Sequence, residues 1–150
     1  MSADSNFDNA NSEDVTSTQR FADDLIEDPK DGLDAEELAA VAALPAGSAL
    51  LIVKRGPSDG SRFLLDQNVT SIGRHPNADI FLDDVTVSRR HAEFHRDGAV
   101  FEVKDLGSLN GTYFDGQRID AARLVDGCEV QIGKFRLTFY ASRADLGQVN

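Results

Sequence analysis

From Ser48 onward the chain breaks into short apolar runs separated by turn signals, and no helical period of useful length interrupts them. Runs occupy 49–53, 62–65, 79–82, 91–96, 99–104, 128–132 and 135–140. The last, Phe135-Arg136-Leu137-Thr138-Phe139-Tyr140, alternates apolar and polar as a half-buried strand should. Between them stand Asp59-Gly60, Asp97-Gly98, Asp115-Gly116, Asp126-Gly127 and Gly133-Lys134. Asp-Gly is favoured where a tight hairpin needs positive φ. Many short strands at such spacing predict an all-β antiparallel sandwich or barrel over 48–142, with 143–150 a C-terminal tail.

Charge separates this region from what precedes it. Residues 1–47 hold Arg20 and Lys30 against 12 acids, a net −10, whereas the whole chain carries −11. With Phe7 and Phe21 its only aromatics, such a segment cannot bury enough apolar surface to offset chain entropy, so a disordered acidic tail is expected. One stretch in it is helix-prone: Asp34 can cap Ala35–Leu44, with Glu37 at the capping-box position and Pro45 and Gly47 as stops. It reads as a transient helix in a linker.

The composition also excludes partners. Net acidity, with no basic tract longer than Arg89-Arg90, argues against nucleic acid and anionic membranes. The longest apolar stretch, Leu38 to Val53, is too short to span a bilayer and is broken at Pro45. The start lacks a signal pattern and Cys128 stands alone, so a cytoplasmic protein without disulfides is expected. Three His and one Cys show no zinc-site spacing, so neither metal nor cofactor is expected.

Function is then sought in the loops. Ser71-Ile-Gly73-Arg74-His75-Pro76, Val85-Thr-Val-Ser88-Arg89-Arg90-His91 and Leu106-Gly-Ser108-Leu109-Asn110-Gly111-Thr112 offer guanidinium groups, hydroxyls, a carboxamide and backbone N–H groups near glycines. This donor-rich set suits a dianionic phosphate and lacks an obvious general base. Ser88 and His91 invite a hydrolase reading, but they share one turn with no orienting acid or oxyanion loop, so no enzyme is expected. His75 and His95 read as ordinary surface residues.

Gly73-Arg74, then Ser88-Arg89-Arg90-His91, then Asn110-Gly111 follow the order and spacing of the forkhead-associated (FHA) signature, and 48–142 resembles that family. The resemblance implies a β-sandwich of two antiparallel sheets, about eleven strands, whose loops at one end bind phosphothreonine. By position, Arg74 and Ser88 would hold the phosphate, Arg89 would add charge, and Asn110 would bond the peptide backbone. Gly73, His91 and Gly111 would be architectural. Where many members have a hydroxyl residue before the Asn, this chain has Leu109, so Ser108, Thr112 or backbone N–H groups would supply the missing contact.

A more specific resemblance covers nearly the whole domain. Gly73-Arg-His-Pro76, Asp79–Phe94, Gly107–Tyr113 and Val130–Leu137 are similar to the actinobacterial FHA regulators of 2-oxoglutarate metabolism, the oxoglutarate dehydrogenase inhibitors and glycogen accumulation regulators. In those proteins a Ser/Thr protein kinase phosphorylates one Thr of the pair in an N-terminal Glu-Thr-Thr-Ser-Val-Phe-Arg-Ala-Asp motif. Here Thr16-Ser17-Thr18-Gln19-Arg20-Phe21-Ala22-Asp23 aligns on its Phe, which makes Thr18 the expected phosphosite and Thr16 the runner-up. Phe21 stands at the third position after Thr18, where FHA sites often select an apolar side chain. The 30 residues from Thr18 to Ser48 give a flexible span of about 30 Å, enough to bring the tail to its own domain. The resemblance implies a monomeric regulator that, unphosphorylated, inhibits the E1 component of 2-oxoglutarate dehydrogenase, with glutamate dehydrogenase and glutamate synthase as further targets, and that closes on its phosphorylated tail. The alternative is an adaptor for other phosphoproteins.

Overall fold

In the computed structural model, residues 33–55 and 60–146 are described. Thr16, Thr18 and Phe21 lie outside them. Eleven strands follow one short helix: α1 (Ala35–Ala42), β1 (Ala49–Arg55), β2 (Arg62–Leu65), β3 (Val69–Gly73), β4 (Ile80–Phe81), β5 (Ala92–Asp97), β6 (Val100–Asp105), β7 (Thr112–Phe114), β8 (Gln117–Ile119), β9 (Ala121–Arg123), β10 (Glu129–Ile132) and β11 (Phe135–Ala141). A single helical turn, α2 (Arg143–Leu146), ends the described chain.

The strands form two sheets, in the orders β2-β1-β11-β10-β7-β8 and β4-β3-β5-β6-β9. Alternation explains which side chains meet between them. Leu51, Val53, Leu137, Phe139, Val130 and Ile132 turn inward from the first sheet, and Ile72, Ala92, Phe94, Phe101 and Val103 from the second. The tilted pair Phe101–Phe139, ring centroids 5.4 Å apart, joins the two layers. The two-residue turn Asp115-Gly116 has positive φ at both positions, 47° and 90°, which matches the right-handed twist of the β7–β8 hairpin it closes.

Three differences from the sequence reading have local causes. β3 and β4 pair in parallel, with Ile72 beside Ile80 and Gly73 beside Phe81, so the second sheet is not wholly antiparallel. β7, β8 and β9 span three residues each, too short for periodicity to register. The helix is not a transient linker element: Val41 is 1% exposed and Leu44 is buried.

What α1 covers follows from the pleat. Leu50, Ile52 and Tyr140 are buried yet alternate with the inward residues of β1 and β11, and Leu50 stands directly opposite Tyr140. They therefore lie on the outer face of the sheet, and the helix shields them. Glu37 Oε1 lies 3.3 Å from Lys54 Nζ at one end. At the other, Ser142 Oγ donates to the Leu44 carbonyl and Gly47 N–H donates to Asp145. The folded body thus extends on both sides of the expected 48–142 limits.

A chain starting at residue 48 should therefore unfold at a lower urea concentration than one starting at residue 33. Val41→Ala should cost about 1–3 kcal/mol in the full-length protein, measured by urea unfolding. Unchanged midpoints would place the helix outside the cooperative unit.

Candidate functional site

The β3–β4, β4–β5, β6–β7 and β10–β11 connections gather at one end of the sandwich and are tied to one another. Gly73 carries the first link. Its carbonyl accepts from Leu82 N–H, and Arg74 N–H donates to the Ser88 carbonyl, both at 2.9 Å. A Cβ on Gly73 would lie 2.1 Å from the Arg89 carbonyl oxygen, so only glycine lets the two segments approach this closely.

His91 provides the second link. It is fully buried; its Nδ1 accepts from Ser88 N–H at 3.1 Å, and its Nε2 lies 2.9 Å from the Gly111 carbonyl. An acceptor at Nδ1 requires the proton on Nε2, so the ring is neutral and donates to Gly111. Burial lowers its pKa from the ordinary 6.5, against the opposing pull of the Gly111 carbonyl and the Asp105 charge. Ser88 and His91 are thus joined through the backbone N–H of Ser88, which is not the contact of a nucleophile with its base.

Asp105 organises the third loop. One carboxylate oxygen accepts from Gly107 and Ser108 N–H; the other accepts from the hydroxyls of Ser108 and Thr112. Burial raises its pKa, but these four bonds outweigh that and hold it below 3.8. Gly111 N–H then donates to Ser108 Oγ at 3.0 Å. Ser108 and Thr112 are accordingly buried with their hydroxyl protons committed to Asp105, a bracing position rather than the phosphate-contacting one expected of them.

Two side chains close the constellation. Ser88 Oγ accepts from Leu109 N–H at 3.0 Å, which leaves its own proton free to donate. The Asn110 carboxamide donates to the Thr86 carbonyl at 2.9 Å, while Thr86 is fixed by Asp84 and accepts from Lys134 N–H. The Leu109 N–H itself is spent on orienting Ser88. Around this frame Arg74, Arg89 and Arg90 are exposed, and none has a carboxylate within ion-pairing distance among the described residues.

The structure therefore brings Gly73, Arg74, Ser88, Arg89, His91, Asn110 and Gly111 to one end, with Ser108 and Thr112 beneath them. Asp84, Thr86, Asp105 and Lys134 were not among the residues singled out by sequence. Asp105-Leu-Gly107-Ser108 did carry a signal, because an Asp that accepts from the N–H groups two and three residues on makes its own turn. Elsewhere, His75 and His95 serve locally, bonding Asn77 N–H and Glu93. Cys128 is buried, and burial pushes its thiol up to about 11. Among the described residues no group of three or more His, Cys, Asp or Glu could hold a metal ion.

Residues 70–133 match the FHA domain, and the chain belongs to the FHA family, whose domains are binding modules rather than enzymes. Over 145 residues it is 57% identical to the glycogen accumulation regulator GarA of Mycolicibacterium smegmatis, covering 91% of this chain and 89% of that protein. It is also 57% identical over 126 residues to the oxoglutarate dehydrogenase inhibitor of Corynebacterium jeikeium, covering 83% and 88%. Among solved structures, Mycobacterium tuberculosis EmbR in complex with a low-affinity phosphopeptide superposes with a TM-score of 0.59 at 34% identity, over 64% of this chain and 25% of that one. A domain from a study of phosphothreonine-dependent FHA interactions superposes at 0.58 and 32% identity, over 62% and 95%.

The neutral, buried His91 has a measurable consequence. As pH falls through 6.5 the unfolded chain takes up a proton that the folded chain resists, so stability declines below 6.5 until folded His91 titrates. Asp105 acts lower: its contribution is present above 3.8 and is lost as pH falls through its depressed folded value. Urea unfolding at pH 7.5 and 5.5 should show a drop in the wild type and a smaller one in His91→Gln. Equal drops would assign the acid sensitivity to other groups.

Proposed function

We propose that this protein is a phosphorylation-controlled regulator that, unphosphorylated, binds and inhibits the E1 component of 2-oxoglutarate dehydrogenase, with glutamate dehydrogenase and glutamate synthase as further targets. Phosphorylation of Thr18 by a Ser/Thr protein kinase turns it off when the modified tail occupies its own FHA site. One observation carries the reading: an uncommitted donor set, Arg74, Arg89 and the Ser88 hydroxyl, stands on loops where Asp84 and Asp105 are already engaged by hydroxyl, N–H and lysine donors. A phosphate dianion takes charge-assisted and forked donors of this kind. The names carried by the relatives supply the target class.

In this reading Arg74 and Ser88 hold the phosphate, Arg89 adds charge, and Asn110, already turned toward the β4–β5 loop, bonds the peptide backbone with its remaining capacity. Phe21 packs beside the site three residues after Thr18. Docking of α1 shortens the free tether relative to the span read from sequence. From Thr18 to Ala35 is 17 positions, a flexible span of about 20–25 Å, so the tail is held at an effective concentration of about millimolar order. Phosphorylation of Thr18 would add about −1.5 to −2 charge, a match for the cationic end of the domain.

Purified 2-oxoglutarate dehydrogenase assayed with unphosphorylated and Thr18-phosphorylated protein tests the switch. Inhibition by the first and its loss with the second is expected; equal inhibition by both, or by neither, would leave the adaptor reading. Arg74→Ala and Ser88→Ala should each weaken binding of a Thr18-phosphorylated peptide by about thirtyfold or more. In calorimetry, unchanged affinity in both variants would place the phosphate elsewhere.

A further inference from the structure

The geometry points to Arg118 as an additional recognition residue of this site, one that pairs with a carboxylate flanking the phosphothreonine. Arg118 belongs to no motif of the sequence reading. It sits on β8 opposite Tyr113 of β7, and its side chain crosses the face of Gly111. A Cβ on Gly111 would lie 2.7 Å from Arg118 Nε and 2.9 Å from its Cζ, so the guanidinium occupies the space that a side chain there would fill. Gly111 follows Asn110 and receives the His91 bond, which puts Arg118 at the rim of the phosphopeptide surface.

Its charge is available. Arg118 is exposed, and among the described residues no carboxylate lies within ion-pairing distance, although Asp115 and Asp120 share its hairpin region. Several exposed cations elsewhere are engaged, Lys104 with Glu102, Arg136 with Glu129 and Arg143 with Asp126, whereas Arg118 shares the uncommitted state of Arg74 and Arg89 at the same end. Lying over a glycine leaves the guanidinium's forked donors accessible beside Asn110 and Gly111, and this fork is what arginine uses to recognise carboxylates. The tail supplies candidates on both sides of Thr18, with Glu13 and Asp14 before it and Asp23 and Asp24 after it.

The inference rests on the phosphothreonine reading, and a double-mutant cycle separates the two. The probe is a peptide of residues 10–27 phosphorylated on Thr18, alongside one carrying Glu13→Gln, Asp14→Asn, Asp23→Asn and Asp24→Asn. Both are titrated into full-length unphosphorylated protein at low salt. Arg118→Ala should weaken the acidic peptide about threefold and the neutralised peptide by less than about 1.5-fold, as for one exposed ion pair, with the difference shrinking at high salt. Arg118→Lys should keep part of the preference. Equal weakening of both peptides would make Arg118 a support for the Gly111 loop, and no weakening of either would make it a solvated arginine; each overturns the inference alone. Failure of both peptides to bind the wild type would overturn the phosphothreonine reading, and this inference with it.

Discussion

Every hydrogen-bonding group of His91 is committed, and one buried residue thereby joins three segments of the site. Its N–H donates to the Ile72 carbonyl at the end of β3, and its carbonyl accepts from Leu106 N–H at the start of the β6–β7 connection. Its ring bridges Ser88 N–H and the Gly111 carbonyl. A buried neutral imidazole does this at low cost, because no charge is desolvated and neither nitrogen is left without a partner. Leu or Phe could fill the volume, but neither could hold Ser88 and Gly111 in register. The residue that looks most like a catalytic base is the one that fixes the binding loops.

From that fixed point the polarity of the site follows. Asp84 and Asp105 spend their carboxylates on Thr86, Lys134, Ser108, Thr112 and nearby N–H groups. These two acids are thus consumed within the loops, and Arg74, Arg89 and Arg90 are left outward with no carboxylate in ion-pairing distance among the described residues. The domain is nearly neutral in total, yet one end presents an ordered cationic surface. Because these bonds exist before a ligand arrives, binding need not order the loops, which is where much association energy is otherwise lost.

The fold was legible in the sequence where a strand showed its period and a turn had chemistry of its own. Phe135–Ala141 and the Asp115-Gly116 hairpin turn are both of that kind. β3, although five residues long, was read as part of the loop that carries Gly73 and Arg74. β7, β8 and β9 were hidden because three residues carry no period. The docking of α1 was hidden for another reason: alternation in Ala-Leu-Leu-Ile-Val reveals the inward face of β1, but a run apolar on both faces does not say what covers the outer one. In the site, the linear motif marked the outward donors and left their supports unassigned. Thr86 acts through partners distant in sequence, whereas Asp105 acts on its own turn, and Ser108 resembles a ligand until its hydroxyl is seen on Asp105.

The docked helix bears on how such a switch works. Carboxylates alone would not close it, because an exposed pair with Arg74 or Arg89 is worth about 0–1 kcal/mol. A phosphate differs in kind, since it brings two charges and three acceptors to one point, where Ser88 and the arginines already converge. In the proposed switch, anchoring α1 by Val41 and Leu44 would shorten the tether, and a phosphorylated tail would then compete at high local concentration. A longer tether would raise the entropy of closure only slightly, by about 0.6 kcal/mol per doubling of loop length. The contrast between the two states therefore resides in the phosphate contacts, and the helix sets only the baseline from which they act.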